Sequence, residues 1–336
     1  MNKFIWCALA AALLAAGCGE RKEEASCVQK TFVMSVPAEV RLYGGSKAAG
    51  QALAGDIFAE WNRISSEFSY SDPYSLTTLV NKKAYGEWVR VDDEFLRLLM
   101  MAMDYYRLSG GAFDITFAPL WPLWKEAAST RKLPAKADIQ KALANIGSNY
   151  IQIDPARRAV RFTKPVQINM GGLLRGYCFE RAYKMLRAKA PDFPVELRLG
   201  GNVLVYGRRD WKYAVMDPFK KNKRKGTLLF NNGIVVSSSG RDSFVEIEGK
   251  LYSHILDLKT GYPIENFSNL MVYFPGIESN NFLASAVLAV MGKDKAFKLL
   301  EGMKGTAAVW LDGAGEPYIF QNAASKAKWE EEKGLF

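Results

Sequence analysis

Seven short strand-like segments follow one another between residues 195 and 256, and this crowding limits the fold more than any other feature. Each segment is rich in β-branched or aromatic residues, and turn residues separate it from the next. The segments lie at 195–199, 202–206, 211–216, 227–230, 233–237, 243–248 and 251–256. Further strands are predicted at 31–45, 150–153, 159–163, 268–274 and as a pair within 306–320.

Apolar residues recur at helical spacing in several other stretches. The strongest helix follows Asp92 or Asp93 as N-cap and stops at Ser109. The predicted helices cover 46–66, 93–108, 136–147, 173–189 and 280–301, the last interrupted at Gly292. Helices inserted among many short strands, without regular alternation, indicate an α+β fold with mixed, mostly antiparallel sheets.

The N-terminus has the pattern of a secretion signal. Lys3 precedes an uncharged run over 4–16, which is too short to span a bilayer because a spanning helix needs about 20 residues. Ala15-Ala16-Gly17 then leads to Cys18, and this order resembles the bacterial lipobox, in which the cysteine is lipidated. The alternative is an ordinary secretory signal with a chance cysteine.

These features predict a location and a domain organisation. We expect a lipid-anchored protein of the bacterial cell envelope that faces the periplasm or the exterior and contacts the membrane through Cys18. No later apolar run is long enough for a transmembrane helix. The predicted parts are a signal peptide over 1–17, an anchor and polar tether over 18–29, a single domain over 30–325 and a charged tail over 326–336.

A single histidine among 336 residues limits the chemistry. It excludes metal sites built from several imidazoles, so any imidazole chemistry belongs to His254. Four scattered cysteines exclude a zinc ribbon, and the sequence leaves open whether Cys27 and Cys178 pair. The formal charge is +10, but the one dense basic run, 220–225, is typical of a solvated loop, and we expect no nucleic-acid partner.

Two glycine pairs are candidate ligand contacts. Gly110-Gly111 allows positive φ at a helix end, and Asp114 follows it, although a plain helix C-cap explains the same pattern. Gly171-Gly172 precedes a predicted helix, whose N-terminal N–H groups suit a phosphate or pyrophosphate. Arg175 adds a cation in the first turn of that helix, while the spacing is not that of a P-loop.

Further polar segments follow in the second half of the chain. A glycine turn at 200–202 is equally consistent with a hairpin or a ligand contact. His254 stands among hydroxyls, Asp257 and a Thr-Gly turn, which favours a functional role over a structural one. Asn281 and Ser285 share one face of a predicted helix start, where their oxygens suit a hard cation or a plain N-cap.

Taken together and in this order, these segments resemble the FAD:protein FMN transferase family, the ApbE lipoproteins. The resemblance covers about residues 30–320, and the ordered coincidence of the motifs is more specific than any one of them. The matching segments are GGAFDIT (110–116), NMGGLLRGY (169–177), GGN (200–202), SG (239–240), SHILDLKTGYP (253–263) and NNFLASA (280–286).

The resemblance implies a T-fold-like flavin transferase architecture, FAD as substrate and Mg²⁺ as metal. It implies Mg²⁺-dependent transfer of FMN to a Thr or Ser hydroxyl of a target flavoprotein or redox-complex subunit outside the cytoplasm, with release of AMP. His254 would be the base that takes the acceptor proton. The implied FAD contacts are Met34, Tyr70, Ala112, Phe113, Asp114, Asn169, Arg175 and Ile255, and the implied metal ligands are the Gly172 carbonyl, Asn281 and Ser285.

Several positions depart from the family's pattern. Asn281 stands where the family has an aspartate ligand, and Arg175 stands where it has lysine. A set of neutral oxygens should hold Mg²⁺ weakly, because this ion dehydrates reluctantly and favours carboxylates. Two alternatives to an active transferase therefore stay open: a non-catalytic periplasmic FAD-binding lipoprotein with a degenerate metal site, and an FAD pyrophosphatase.

Overall fold

A computed structural model describes residues 24–189, 191–241, 244–277 and 285–332. The predicted signal peptide and Cys18 lie outside the described residues. The helices in the described ranges are α1 (Lys47–Glu67), α2 (Leu76–Lys83), α3 (Asp93–Leu108), α4 (Leu120–Thr130), α5 (Lys136–Leu143), α6 (Gly171–Lys189), α7 (Ser285–Met291) and α8 (Lys293–Glu301). None of these helices combines the length and the apolar character that a bilayer span requires.

The strands form one large sheet and several small ones. The large sheet has the order β1-β2-β6-β7-β10-β15-β16-β17, and each pairing within it is antiparallel. Its strands are β1 (Cys27–Val33), β2 (Val36–Leu42), β6 (Val195–Leu199), β7 (Asn202–Tyr206), β10 (Gly233–Ser239), β15 (Phe267–Phe274), β16 (Ala307–Asp312) and β17 (Pro317–Gln321). This architecture confirms the predicted α+β class.

Four smaller sheets complete the described strands. One of them has the order β18-β9-β8 and another the order β3-β5-β4, while β11 pairs with β12 and β13 with β14. Their strands are β3 (Val89–Arg90), β4 (Ile151–Asp154), β5 (Ala159–Phe162), β8 (Trp211–Met216), β9 (Arg224–Phe230), β11 (Phe244–Ile247), β12 (Lys250–Ser253), β13 (Leu256–Asp257), β14 (Tyr262–Pro263) and β18 (Lys328–Glu331).

The large sheet separates two hydrophobic cores. Successive side chains of a strand point to opposite faces, so a strand that is apolar throughout supplies both. In β15, Leu270 and Val272 pack into the core that holds the helices, whereas Met271 packs into a second core with Trp211 of β8. The strands that the sequence crowds together are therefore buried on both faces, which explains their continuous apolar composition.

The predicted single strand over 31–45 is a hairpin, so that prediction was wrong. Val33 of β1 pairs with Val36 of β2, and Met34 and Ser35 between them have φ of 52° and 61°. A two-residue type I′ turn needs positive φ at both positions, which glycine or asparagine usually supplies. Neither glycine nor asparagine occurs at these two positions, so the strand-like pattern of the sequence continues through the turn without a turn signal.

Other predicted boundaries also need correction. Helix α6 begins at Gly171, so Gly171 and Gly172 lie inside its first turn, and α5 ends at Leu143 rather than near 147. The ordered sheets extend beyond the predicted domain range of 30–325, because β1 begins at Cys27 and β18 lies in the predicted tail. The basic segment 220–225 is a loop only as far as Lys223, since β9 starts at Arg224.

Burial explains the state of the two cysteines in the folded part. Cys27 and Cys178 are both buried and unpaired with each other. Burial raises the pKa of the Cys178 thiol, so it is kept neutral. The disulfide that the sequence left open is therefore absent from this fold.

An ion-pair network joins α6 to α1 and α3. The Arg63 guanidinium of α1 bonds Glu60 at 2.9 Å and Glu94 of α3 at 2.8 Å. Arg181 of α6 donates to Glu60 at 2.7 Å. The hydrogen bond from Arg63 lowers the pKa of Glu60 to about 2. Three helices are thus linked through the carboxylates of Glu60 and Glu94, which favours a single position for α6.

Glu60→Gln is expected to lower the free energy of unfolding by about 1.5 kcal/mol at pH 7, because it removes the charge that two arginines share. The pKa of Glu60 falls from 4.5 to about 2 on folding, so its contribution is complete above pH 4.5. The difference from the wild-type protein should shrink as the pH falls from 4.5 towards 2. Urea unfolding at several pH values measures this, with exposed Glu87→Gln as a control that changes little at any pH. A loss that does not vary with pH would contradict the account.

Candidate functional site

The segment 110–116 packs against the start of α6. The N–H of Asn169 donates to the carbonyl of Ile115 at 2.6 Å. The Phe113 ring lies 3.6 Å from the position that a Cβ on Gly172 would take, and it packs edge-on against Tyr105. Two of the glycine-rich segments of the sequence are therefore neighbours in the fold.

The carboxylate of Asp114 is buried and fully engaged within the protein. It accepts from the N–H and the hydroxyl of Thr116 at 2.8 and 2.6 Å, and from the N–H and the hydroxyl of Ser148 at 2.9 and 2.7 Å. The Thr116 hydroxyl in turn accepts from the Gly147 N–H at 2.7 Å. The Asp114 side chain thus holds the 110–116 segment against residues 147–148. Ala112 of the same segment is only partly buried.

The first turn of α6 is open to solvent at its two leading glycines. Asn169 caps it, because its side-chain oxygen accepts from the N–H of Gly171 at 2.9 Å. Gly171 and Gly172 are both solvent-exposed and carry no side chain to cover this end of the helix. The helix is long, so its N-terminus concentrates partial positive charge where an anion can approach.

Arg175 adds a full positive charge beside this turn. Its Nη1 lies 3.4 Å from the position that a Cβ on Gly200 would take, and Val36 contacts the same position at 3.6 Å. The side chain is partly buried, and desolvation lowers the pKa of its guanidinium. Among residues 24–189, 191–241, 244–277 and 285–332, no carboxylate or other acceptor bonds Arg175.

The turn at Gly200 and Gly201 meets the end of β10. A Cβ on Gly201 would stand 3.5 Å from the Ser237 carbonyl, and the Ser237 N–H donates to the Asn202 side chain at 3.1 Å. The next residue, Ser238, shares a hydrogen bond of 2.7 Å with Ser285, which is 2 % exposed. Four of the predicted segments are therefore continuous in space: the start of α6, the glycine turn, the end of β10 and the start of α7.

His254 follows the last residue of β12 and is exposed. The next residue, Ile255, is buried, and its carbonyl accepts from the Ile264 N–H at 2.9 Å. The turn beyond it is fixed by Trp124 of α4, whose Nε1 donates to the Gly261 carbonyl at 2.8 Å. A buried neighbour and a docked turn fix the backbone that follows His254, which stands at the surface.

Tyr70 and Met34 lie on the borders of the same region. The Tyr70 hydroxyl donates to Gln167 at 3.1 Å, two residues before the Asn169 cap. Asn81 holds the backbone just before this cap, because its side chain bonds both the N–H and the carbonyl of Ile168. Met34 packs against the helical core from the turn between β1 and β2. Sequence reasoning missed Asn81 and Ser148 as supports of the site, because their partners lie far away along the chain.

The residues in the described ranges do not fit a tightly held Mg²⁺. Of the three predicted ligands, Asn281 lies outside the described residues, and Ser285 is engaged with Ser238. All three ligands are neutral oxygens, and the charged side chain beside the Gly200 turn is the cation of Arg175. Within the described part of the chain, no group of three or more His, Cys, Asp or Glu side chains is placed to hold a metal. Mg²⁺ favours carboxylate ligands, so this donor chemistry is unsuited to it.

Comparison with known proteins agrees with this arrangement. The model of the ApbE family matches residues 34–310. A FAD:protein FMN transferase of Klebsiella pneumoniae is 27% identical over 281 residues, which is 83% of this chain and 87% of the relative. A protein of the same name from Haemophilus influenzae is 24% identical and covers 90% of each chain.

Solved structures share the fold. The ApbE protein of Thermotoga maritima superposes with a TM-score of 0.77 at 24% identity, covering 88% of this chain and 96% of its own. The flavin transferase ApbE of Vibrio cholerae gives 0.75 at 17% identity, covering 89% and 97%. The fold is therefore that of the flavin transferases, as predicted. With a family model that spans most of its length, this chain belongs to the ApbE family.

Asp114→Asn is expected to lower the free energy of unfolding by about 2 kcal/mol, because an amide NH₂ cannot accept the bonds that the carboxylate accepts. Urea unfolding measures the loss. The matched control is Asp138→Asn, an exposed residue in the first turn of α5, for which we expect a loss below about 0.5 kcal/mol. Equal losses for the two variants would show that the buried network around Asp114 contributes nothing special.

Proposed function

We propose that this chain transfers FMN from FAD to a threonine or serine hydroxyl of a target flavoprotein or redox-complex subunit and releases AMP. The observation that carries the proposal is the spatial continuity of four segments that begins at Arg175, a cation with no hydrogen-bonding partner within the described residues, near an exposed helix N-terminus. Such a place suits the pyrophosphate of a dinucleotide. The activity of the Klebsiella and Haemophilus relatives supports the same reaction.

The proposed reaction is a phosphoryl transfer to a hydroxyl nucleophile. The acceptor oxygen attacks the phosphorus of the FMN half, a new P–O bond joins FMN to the acceptor, and the P–O bond to AMP breaks. AMP leaves with the electron pair of that bond. His254, exposed at the end of β12, takes the proton that the acceptor hydroxyl loses.

Charge neutralisation in this proposal comes from the chain's own groups. The positive end of the α6 dipole and the Arg175 guanidinium face the pyrophosphate, and the 110–116 segment with Tyr70 and Met34 borders the flavin. The Mg²⁺ dependence implied by the family resemblance is not part of this proposal, because the predicted ligands are neutral oxygens, which suit this ion poorly. No step above depends on a bound metal.

The proposal places the reaction in the cell envelope. The sequence pattern before Cys18 supports a lipid anchor, and a lipidated chain would meet acceptors on the far side of the cytoplasmic membrane. Labelling of the full chain with a radioactive fatty acid in bacteria should give a labelled, membrane-sedimenting protein. Cys18→Ala should lose the label, whereas Cys27→Ala should keep it. Label that survives Cys18→Ala would contradict the anchor.

Transfer is tested on the chain from Cys18 onward with FAD and a flavoprotein fragment that carries the acceptor threonine. With Mg²⁺ or with EDTA, the mass of the acceptor should rise by one FMN group, and AMP should appear in equal amount. His254→Asn should slow transfer by at least about 100-fold and change the Kd of FAD less than about twofold. Lys259→Ala, an exposed neighbour in the same segment, should change neither.

Absence of FMN on the acceptor under both conditions would contradict the transferase proposal. Stoichiometric FAD binding with neither AMP nor a modified acceptor would instead identify an FAD-binding protein, the alternative that the neutral donor set favours. AMP and free FMN without any acceptor would identify a pyrophosphatase.

A further inference from the structure

Arg175 is an unusual cation for a folded protein. It is partly buried, and within the described residues it has no carboxylate, carbonyl or hydroxyl partner. Its neighbours on α6 differ in this respect, since Arg181 bonds Glu60 and Lys184 bonds Glu180. Burying a charge without a partner is unfavourable, so such groups in proteins usually meet a ligand of opposite sign.

We propose that FAD binding by this chain needs no divalent cation, because the guanidinium of Arg175, which the family resemblance already implies as an FAD contact, balances the charge of the pyrophosphate. The inference rests on the proposed function, in which FAD is the substrate, and adds how that substrate's charge is balanced. It departs from the Mg²⁺ requirement that the family resemblance implies.

The surroundings of Arg175 suit a phosphate group. Gly200 has φ of +60° and no side chain. A Cβ on Gly200 would stand 3.4 Å from the Nη1 atom of Arg175, so its absence leaves the space beside Nη1 open. The exposed first turn of α6 lies one turn earlier on the same helix and adds the partial positive charge of the helix N-terminus. A side-chain cation and the positive end of a helix dipole therefore lie within about one turn of each other on α6.

The identity of the cation matters as well as its position. A guanidinium is planar and presents paired N–H groups that match two phosphate oxygens, whereas a lysine ammonium is a single point of charge. The predicted metal ligands supply no negative charge to hold a cation in competition. The positive charge that balances the pyrophosphate is thus supplied by a side chain of the protein itself.

The test is an equilibrium titration of FAD into the chain from Cys18 onward, once with Mg²⁺ and once with excess EDTA. For the wild-type protein the two Kd values should agree within about threefold. Arg175→Met should raise the Kd of FAD about 30-fold in both buffers, and Arg175→Lys less, about 5-fold. The Kd of riboflavin, which has no phosphate, should change less than twofold in either variant.

Arg187→Met is the matched control, since Arg187 is exposed in the last turn of the same helix. It should leave both Kd values unchanged. A wild-type protein that binds FAD only with Mg²⁺ would overturn the proposal. So would an Arg175→Met protein that binds FAD as well as the wild type, or one that loses riboflavin equally.

Thermal unfolding without ligand gives a second, independent readout. Because Arg175→Met removes a partly buried charge that has no partner among the described residues, it should raise the Tm by about 2–4 °C. FAD at saturating concentration should then stabilise the wild type more than this variant. A lowered Tm in the ligand-free variant would mean that Arg175 is held by the protein itself and would contradict the proposal.

The proposed FMN transfer and the proposed metal-independent FAD binding can be contradicted independently of each other. If FMN transfer is absent but FAD binds in EDTA through Arg175, the proposed reaction is wrong and this inference stands. If transfer occurs but FAD binding needs Mg²⁺, the reaction stands and this inference is wrong.

Discussion

The burial of α6 between the large sheet and α1 is the constraint on which the rest of the site depends. Its middle residues Cys178 and Phe179 are fully buried, and the Cys178 carbonyl accepts from Trp61 of α1 at 2.8 Å. A helix held in this way cannot slide or turn without breaking packing on several sides. Its first turn and Arg175 are therefore presented at one fixed place, where the Gly200 turn and the 110–116 segment meet it.

Much of the fold was predictable because local pattern and tertiary role agree. The helix over 93–108 begins after Asp92 as predicted, since this aspartate accepts from the Phe95 N–H and leaves the apolar face to the core. The misses have physical reasons. Pro122 lies in the first turn of α4, where a missing N–H is tolerated, yet in the sequence it argues against a helix. Strand β18 carries one large apolar residue, Trp329, and forms by pairing with β9.

The site was predictable as a set of segments and not as a geometry. Order along the chain indicated which segments belong together, because glycine pairs, hydroxyls and the single histidine have few uses in such clusters. It did not reveal that Asp114 is turned towards Thr116 and Ser148, or that Arg175 lacks a partner within the described residues. Those facts arise from contacts between residues far apart in sequence.

The predicted site of this chain differs from the family pattern at positions that carry charge. Neutral oxygens occupy the predicted metal positions, and an arginine stands where the family has lysine. The first difference removes a negative charge from the pocket, and the second keeps the positive charge but presents it as a planar guanidinium. The most direct measurement is a crystal structure of the chain with FAD, grown without divalent cations. The account predicts pyrophosphate oxygens within about 3 Å of the Arg175 guanidinium, beside Gly200 and the first turn of α6. A pyrophosphate bound elsewhere, with Arg175 untouched, would contradict it.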